Sequence, residues 1–252
     1  MYQELAGPAK VHLLQSIVSR TLVQLVFDVY FVGLSASQST RCLEMETFLA
    51  SCGEPEPFST LPKAYADARG CRRKPAPISF FFFNIHRPDM LIVYTRVRQT
   101  GSAESVNQWR SLTLTILRRE GLAKLQGETD ARTEAVIAKV SGILDSITDS
   151  RASEARDQAL RLLVNSAVDL ARLLAVQRAV FRVSMPEILP HQKTMFDAAT
   201  MDDIGGEDEE NLAHREICCV TFPGIVKTGD ENGGHLQYRN VISRARVLCS
   251  PE

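Results

Sequence analysis

Cys218 and Cys219 stand side by side, with His214 just before them and His235 further along the chain. A nucleophilic thiol needs an imidazole within hydrogen-bond reach and a lowered pKa. The pattern therefore raises thiol-dependent enzyme chemistry, with Cys218 or Cys219 as nucleophile and His214 or His235 as base. Two features weigh against it. Alternation along a strand sends adjacent side chains to opposite faces, one thiol into the core and the other half-exposed. No helix-start nucleophile or glycine pattern for an oxyanion hole accompanies the pair. The stretch from Phe222 to Gly234 follows directly, with clustered glycines and carboxylates that suggest phosphate or calcium binding. It lacks the Gly-Lys-Ser/Thr ending of a phosphate loop and the alternating oxygen donors of a calcium loop, so it reads as a connection between strands. Its first residues, Phe222, Pro223 and Gly224, are candidate contacts for a protein partner.

The densest basic patch runs from Arg69 to Lys74, and Arg72, Arg73 and Lys74 within it are candidate contacts for phosphate or for an acidic peptide. Aromatic residues for base stacking are missing there, so nucleic acid is the weaker reading and a nucleic-acid-associated regulator stands as an alternative. Glu44 with Glu46, and the run from Glu207 to Glu210, lie on segments where nothing is expected to raise a pKa for acid–base work. With no Cys-x-x-Cys pair and no close Cys–His spacing, neither a metal nor another cofactor is expected.

These residues sit in a chain of 252 residues, long enough for one large or two small domains. A net charge of −1 gives no overall field to attract nucleic acid or an anionic membrane. The six cysteines lack a repeating spacing in a chain too large to need disulfide staples, which suits reduced thiols in a cytoplasmic or nuclear setting. From Val11 to Gly33 the chain is apolar enough to raise a membrane span. His12, Ser16, Arg20, Gln24 and Asp28 fall on one stripe of it, however, so an amphipathic core helix is expected instead, with no membrane association.

Apolar periodicity predicts about five helices. The first runs from about Ala9 to Val32, between Pro8 and Gly33, and the second from Ser37 to Ser51. The third is capped by Ser102 and ends near Gly121, with Val106, Trp109, Leu112, Ile116 and Leu117 on one face. A fourth opens at Thr129 or Asp130, and the longest extends from about Arg151 to Val183. Residues 54–101 read as an irregular loop or an anomalous insert. Within it Ile78 to Arg98 carries four consecutive phenylalanines and clashes with the helical pattern on either side, as a retained intron in the gene prediction would. After Pro186 the segment from Met201 to Glu210 reads as a solvated acidic loop. Ile217–Phe222 and Asn240–Cys249 then read as two strands of a hairpin turned by Asn232-Gly233. The fold expected is mainly α: residues 1–183 form a helical bundle, and residues 184–252 the acidic loop with a small C-terminal β-hairpin packed on it.

At Trp109 to Leu117, at Phe222 to Glu231 and at Arg244 to Val247, the chain resembles a group of uncharacterised helical proteins of filamentous fungi, over the region from Ser102 onward. That resemblance carries no catalytic motif. It implies an intracellular protein with a helical body and a conjoined β segment, forming the C-terminal part of a longer parent. With long amphipathic helices accounted for by mutual burial, the expected function is a non-catalytic protein-interaction or scaffold module.

Overall fold

A computed structural model describes residues 9–52, 103–147, 153–189, 191–206, 212 and 214–250. The basic patch from Arg69 to Lys74, the segment from Ile78 to Arg98 and the acidic run from Glu207 to Glu210 lie outside the described residues. The fold is mainly α, with five α-helices followed by a β region of six strands among the described residues. The helices are α1 (Ala9–Leu22), α2 (Ala36–Ser51), α3 (Ala103–Glu120), α4 (Leu122–Ile147) and α5 (Glu154–Ala175).

The first helix does not reach Val32. It passes into a π-helical turn over Val23–Phe27, where the Asp28 amide reaches back to the Val23 carbonyl at 2.8 Å. The wider turn keeps both Val23 and Val26 buried. Chain reversal follows at Gly33, whose φ of +105° disfavours any other residue. A Cβ there would also stand 2.8 Å from Leu125 Cβ and 2.9 Å from Thr129 Oγ1. The neighbouring Val32 carbonyl accepts from buried Arg172 Nε at 3.1 Å, and Arg172 Nη2 donates to Thr129 Oγ1 at 2.6 Å. Next, Ser35 opens α2 with a reciprocal cap, its side chain accepting from the Gln38 amide while the Gln38 side chain accepts from the Ser35 amide.

The main helical core joins the α1 end to α4 and α5 through Val26, Val32, Val136, Ile137, Val140, Val164, Ala167 and Val168. Salt bridges between α4 and α5, Arg161 to Glu134 and Arg156 to Asp145, lie along its rim. A smaller cluster of Phe31, Leu34, Leu114 and Leu125 seats α3.

Two further helix boundaries differ from expectation. Leu122 rather than Thr129 or Asp130 begins α4, because the chain breaks only at Gly121 and resumes at once. More consequentially, α5 stops at Ala175 instead of Val183, which shortens it to about 33 Å. Side chains of α3 take up the carbonyls freed there. Arg110 donates to the carbonyls of Ala175, Gln177 and Arg178 at 2.7–3.1 Å, and Ser111 Oγ donates to Val176 O at 2.6 Å. The released residues, Val180–Ser184, are mostly β-formers and become strand β1.

In place of a two-stranded hairpin there are two three-stranded sheets, with spatial orders β1-β4-β5 and β2-β6-β3. The strands are β1 (Val180–Ser184), β2 (Met201–Asp203), β3 (Ile217–Phe222), β4 (Gly224–Thr228), β5 (Arg239–Ser243) and β6 (Ala245–Cys249). The predicted strand Asn240–Cys249 is thus split at Arg244, and the first part of the expected connection after Phe222, Gly224–Thr228, is strand β4. Part of the expected acidic loop, Met201–Asp203, is β2, which pairs parallel to β6. A core of Phe196, Met201, Leu212, Ile217, Val220 and Val247 lies under the second sheet. Against that sheet α1 packs, with Ser19 Oγ donating to the buried Thr221 carbonyl at 2.7 Å.

Candidate functional site

The thiols occupy the second sheet. On β3, which shifts register between Ile217 and Cys219, Cys218 is exposed and Cys219 buried, as strand alternation requires. The Cys219 thiol points to the His12 carbonyl at 3.8 Å. Burial pushes the thiols of Cys218 and Cys219 up from their ordinary range, and Cys42 likewise. Burial together with the nearby Asp203 carboxylate pushes Cys249 up to about 12. All four shifts run opposite to the one that makes a thiolate.

The two histidines named with these thiols are placed elsewhere. His214 is exposed on the turn before β3. His235 belongs to the turn between β4 and β5, where its Nδ1 lies 2.8 Å from Asp230 Oδ2 and its ring stacks on Tyr238 at 5.6 Å. The Asp230 carboxylate, held by His235 and by the amides of Gly234 and Asn232, lies below its usual range. Positive φ at Gly229, Gly233 and His235 shapes this turn, and Asn107 of α3 anchors it by donating to Gly233 O at 2.7 Å. Beside it Lys227, Asp230, Glu231, Tyr238 and Arg239 line an open depression of about 440 Å³. The structure thus commits His235 to a turn-locking hydrogen bond with Asp230.

Phe222, Pro223 and Gly224 form the corner at which β3 becomes β4. Phe222 is exposed and carries the Arg246 guanidinium over its ring at 5.9 Å. Gly224 is buried, and a Cβ there would meet the Ala245 amide nitrogen at 3.0 Å and the Ser243 carbonyl at 3.1 Å. Close backbone approach explains this glycine; Phe222 alone of the three offers a substantial exposed contact. Among the described residues no group of three or more His, Cys, Asp or Glu side chains is arranged to hold a metal ion. No helix among them is long and apolar enough to cross a membrane.

Among the described residues, α5 keeps an exposed apolar face. Val164, Ala167 and Val168 turn into the core, while Leu162, Leu163, Leu170 and Leu173 on the other side are 65, 45, 38 and 44% exposed. At 100° per residue these four leucines fall within one stripe about 100° wide. On α3 the expected face of Val106, Trp109, Leu112, Ile116 and Leu117 is covered only in part: Val106 is buried and Trp109 and Leu117 are half-buried, but Leu112 and Ile116 are exposed, while Asn107, Arg110 and Leu114 are buried beside them. Periodicity alone could not have found this, because the buried face of α3 is half polar and its polar groups serve backbone carbonyls brought from elsewhere. On α2, Glu46 sits half-buried and accepts from Tyr30 Oη at 2.8 Å, and burial holds its carboxyl above the usual range.

No family model matches the chain, and no solved structure matches it. It is similar to the protein named Leashin of Aspergillus fumigatus, at 27% identity over 169 residues. That stretch is 62% of this chain but only 3% of Leashin, so the chain spans a small fraction of the length of the curated relative it matches.

Proposed function

We propose that the chain is a non-catalytic intracellular protein-interaction module, and that it presents the outward leucine face of α5 to an apolar surface of a partner protein. One observation carries the reading. A helix whose inner face already fills the main core keeps four leucines at least 38% exposed on its other side. Exposed apolar residues scattered singly need no explanation, whereas an aligned stripe of leucines is the pattern of a helix surface used in association. Similarity to a short stretch of a much longer protein suits a module of this kind. The raised thiols and the commitment of His235 to Asp230 weigh against the thiol-enzyme alternative.

The test is affinity purification of the full chain from its native host with quantitative mass spectrometry, comparing wild type with the double variant Leu162→Glu/Leu173→Glu. Both positions are solvent-exposed, so melting should change by less than about 0.5 kcal/mol equivalent while specific partners are depleted at least tenfold. An unchanged set of partners from a folded double variant overturns the reading.

A further inference from the structure

We propose that two copies of this chain pair edge to edge through β5, in an antiparallel register centred on Asn240. The sheet β1-β4-β5 has two edges. At one, β1 is packed by α5 and by the π-helical turn. At the other, β5 pairs with β4 alone among the described strands, and all five of its residues are exposed. Tyr238, Val241 and Ile242 are 58, 36 and 56% exposed along this strand and its entry. An exposed edge of this kind, with few charges, is a template for another strand unless it is blocked. Arg239 is the only charge within β5.

Hydrogen-bond phase fixes how such a strand would dock. Gly229 N donates to Tyr238 O at 2.8 Å, and Thr228 stands opposite Arg239, so Gly229–Tyr238 is a hydrogen-bonded pair. Alternation along an antiparallel ladder makes Lys227–Asn240 the next such pair and leaves the N–H and C=O of Arg239 and Val241 on the open side. Beyond Val241 the register shifts, with Ser243 opposite Ile225, so useful pairing ends at Ile242.

A two-fold axis through Asn240 satisfies these constraints. It sets Arg239 opposite Val241 of the second copy and Val241 opposite its Arg239, which closes four backbone hydrogen bonds. Tyr238 then faces Ile242 of the second copy on one side of the ribbon, an aromatic–β-branched pairing favoured between strands. At the axis the two Asn240 amides meet, neutral and able to hydrogen-bond. No like charges stand directly opposite each other. The contact is small, so the dimer is weak and populated at concentrations on the order of tens of micromolar.

Sedimentation equilibrium of the full chain across a concentration series tests this, together with charge substitutions at the axis. Wild type should show a concentration-dependent monomer–dimer equilibrium. In Asn240→Asp and in Asn240→Lys, like charges stand about 5 Å apart between Cβ atoms. Each variant alone should dimerise at least tenfold more weakly, and an equimolar mixture of the two should recover association as a heterodimer. Unchanged circular dichroism and melting of each variant at low concentration show that folding is intact. The proposal is overturned by a wild type that stays monomeric to several hundred micromolar, whether or not it binds some other protein's strand. It is equally overturned by dimers indifferent to both substitutions, or by a mixture that associates no better than either variant alone.

Discussion

Two consecutive stretches, Ile217 to Thr228 and Arg239 to Cys249, each run through both sheets, and their two halves meet different fates. In the half formed by β3 and β6, Ile217, Cys219, Val220, Thr221, Ala245 and Val247 are buried. In the half formed by β4 and β5, Val226 and Gly224 are buried but β5 is exposed at every position. Residue type does not separate them, since Val241 and Ile242 are as suited to strands as Val220 and Val247. Cover does. Helix α1 lies over β3, and the Phe196–Leu212 cluster fills the space beneath. In the other half, Asn107 ties down the turn at the far end, and helix contacts reach β1 but leave β5 exposed. β-propensity reports a pleated conformation, and burial depends on which helix arrives.

The same substitution made on both sides gives the sharpest test of this contrast. Val247→Ala removes a fully buried side chain and should cost about 2–3 kcal/mol from lost transfer and cavity formation. Val241→Ala should stay within about 0.5 kcal/mol. Urea unfolding at low protein concentration, where association adds nothing, measures both. Equal losses at the two positions would dissolve the distinction between a covered and an open half.

The corner between the halves comes next in size. Gly224 lets β3 continue into β4 while passing within contact of the Ser243–Ala245 backbone, and an added methyl would press on main-chain atoms that cannot swing aside. Gly224→Ala should therefore cost about 1–2 kcal/mol. Because the strain falls where the sheets join, amide exchange should quicken in both β4 and β6. Protection lost in only one of the two would mean that the corner does not couple them.

How much of this was legible can be judged residue by residue. The break at Gly33 and the opposite faces of Cys218 and Cys219 are local, and local chemistry announces them. The end of α5 is different. Nothing between Ala175 and Val180 is a glycine or a proline. The stop depends on Arg110 and Ser111, more than sixty residues away in sequence, reaching the freed carbonyls. From that stop comes β1, and from β1 a third strand for the first sheet. The outward leucines of α5 were no more legible, since a helix apolar on two sides does not say which side is covered. Among the candidate contacts, Phe222 was found at a corner exposed to solvent, whereas Gly224 serves the backbone.

The smallest effect concerns the turn that closes the open half. Asp230 accepts from His235 and from the amides of Asn232 and Gly234, and these bonds favour its ionised form, lowering its pKa in the folded chain. A depressed carboxyl contributes stability that is fully present above its unfolded value of about 3.9 and is lost as pH falls through the lower folded value. Acidification below about pH 4 should thus loosen the turn at the β4–β5 end while the β3–β6 half, remote from this carboxylate, holds. Exchange of the Gly233 and Gly234 amides should accelerate in that window with Val247 still protected, and Asp230→Asn should show the faster exchange already at neutral pH. Simultaneous loss of protection at Gly234 and Val247 would instead make the turn and the covered sheet one cooperative unit, and the contrast between the halves one of exposure alone.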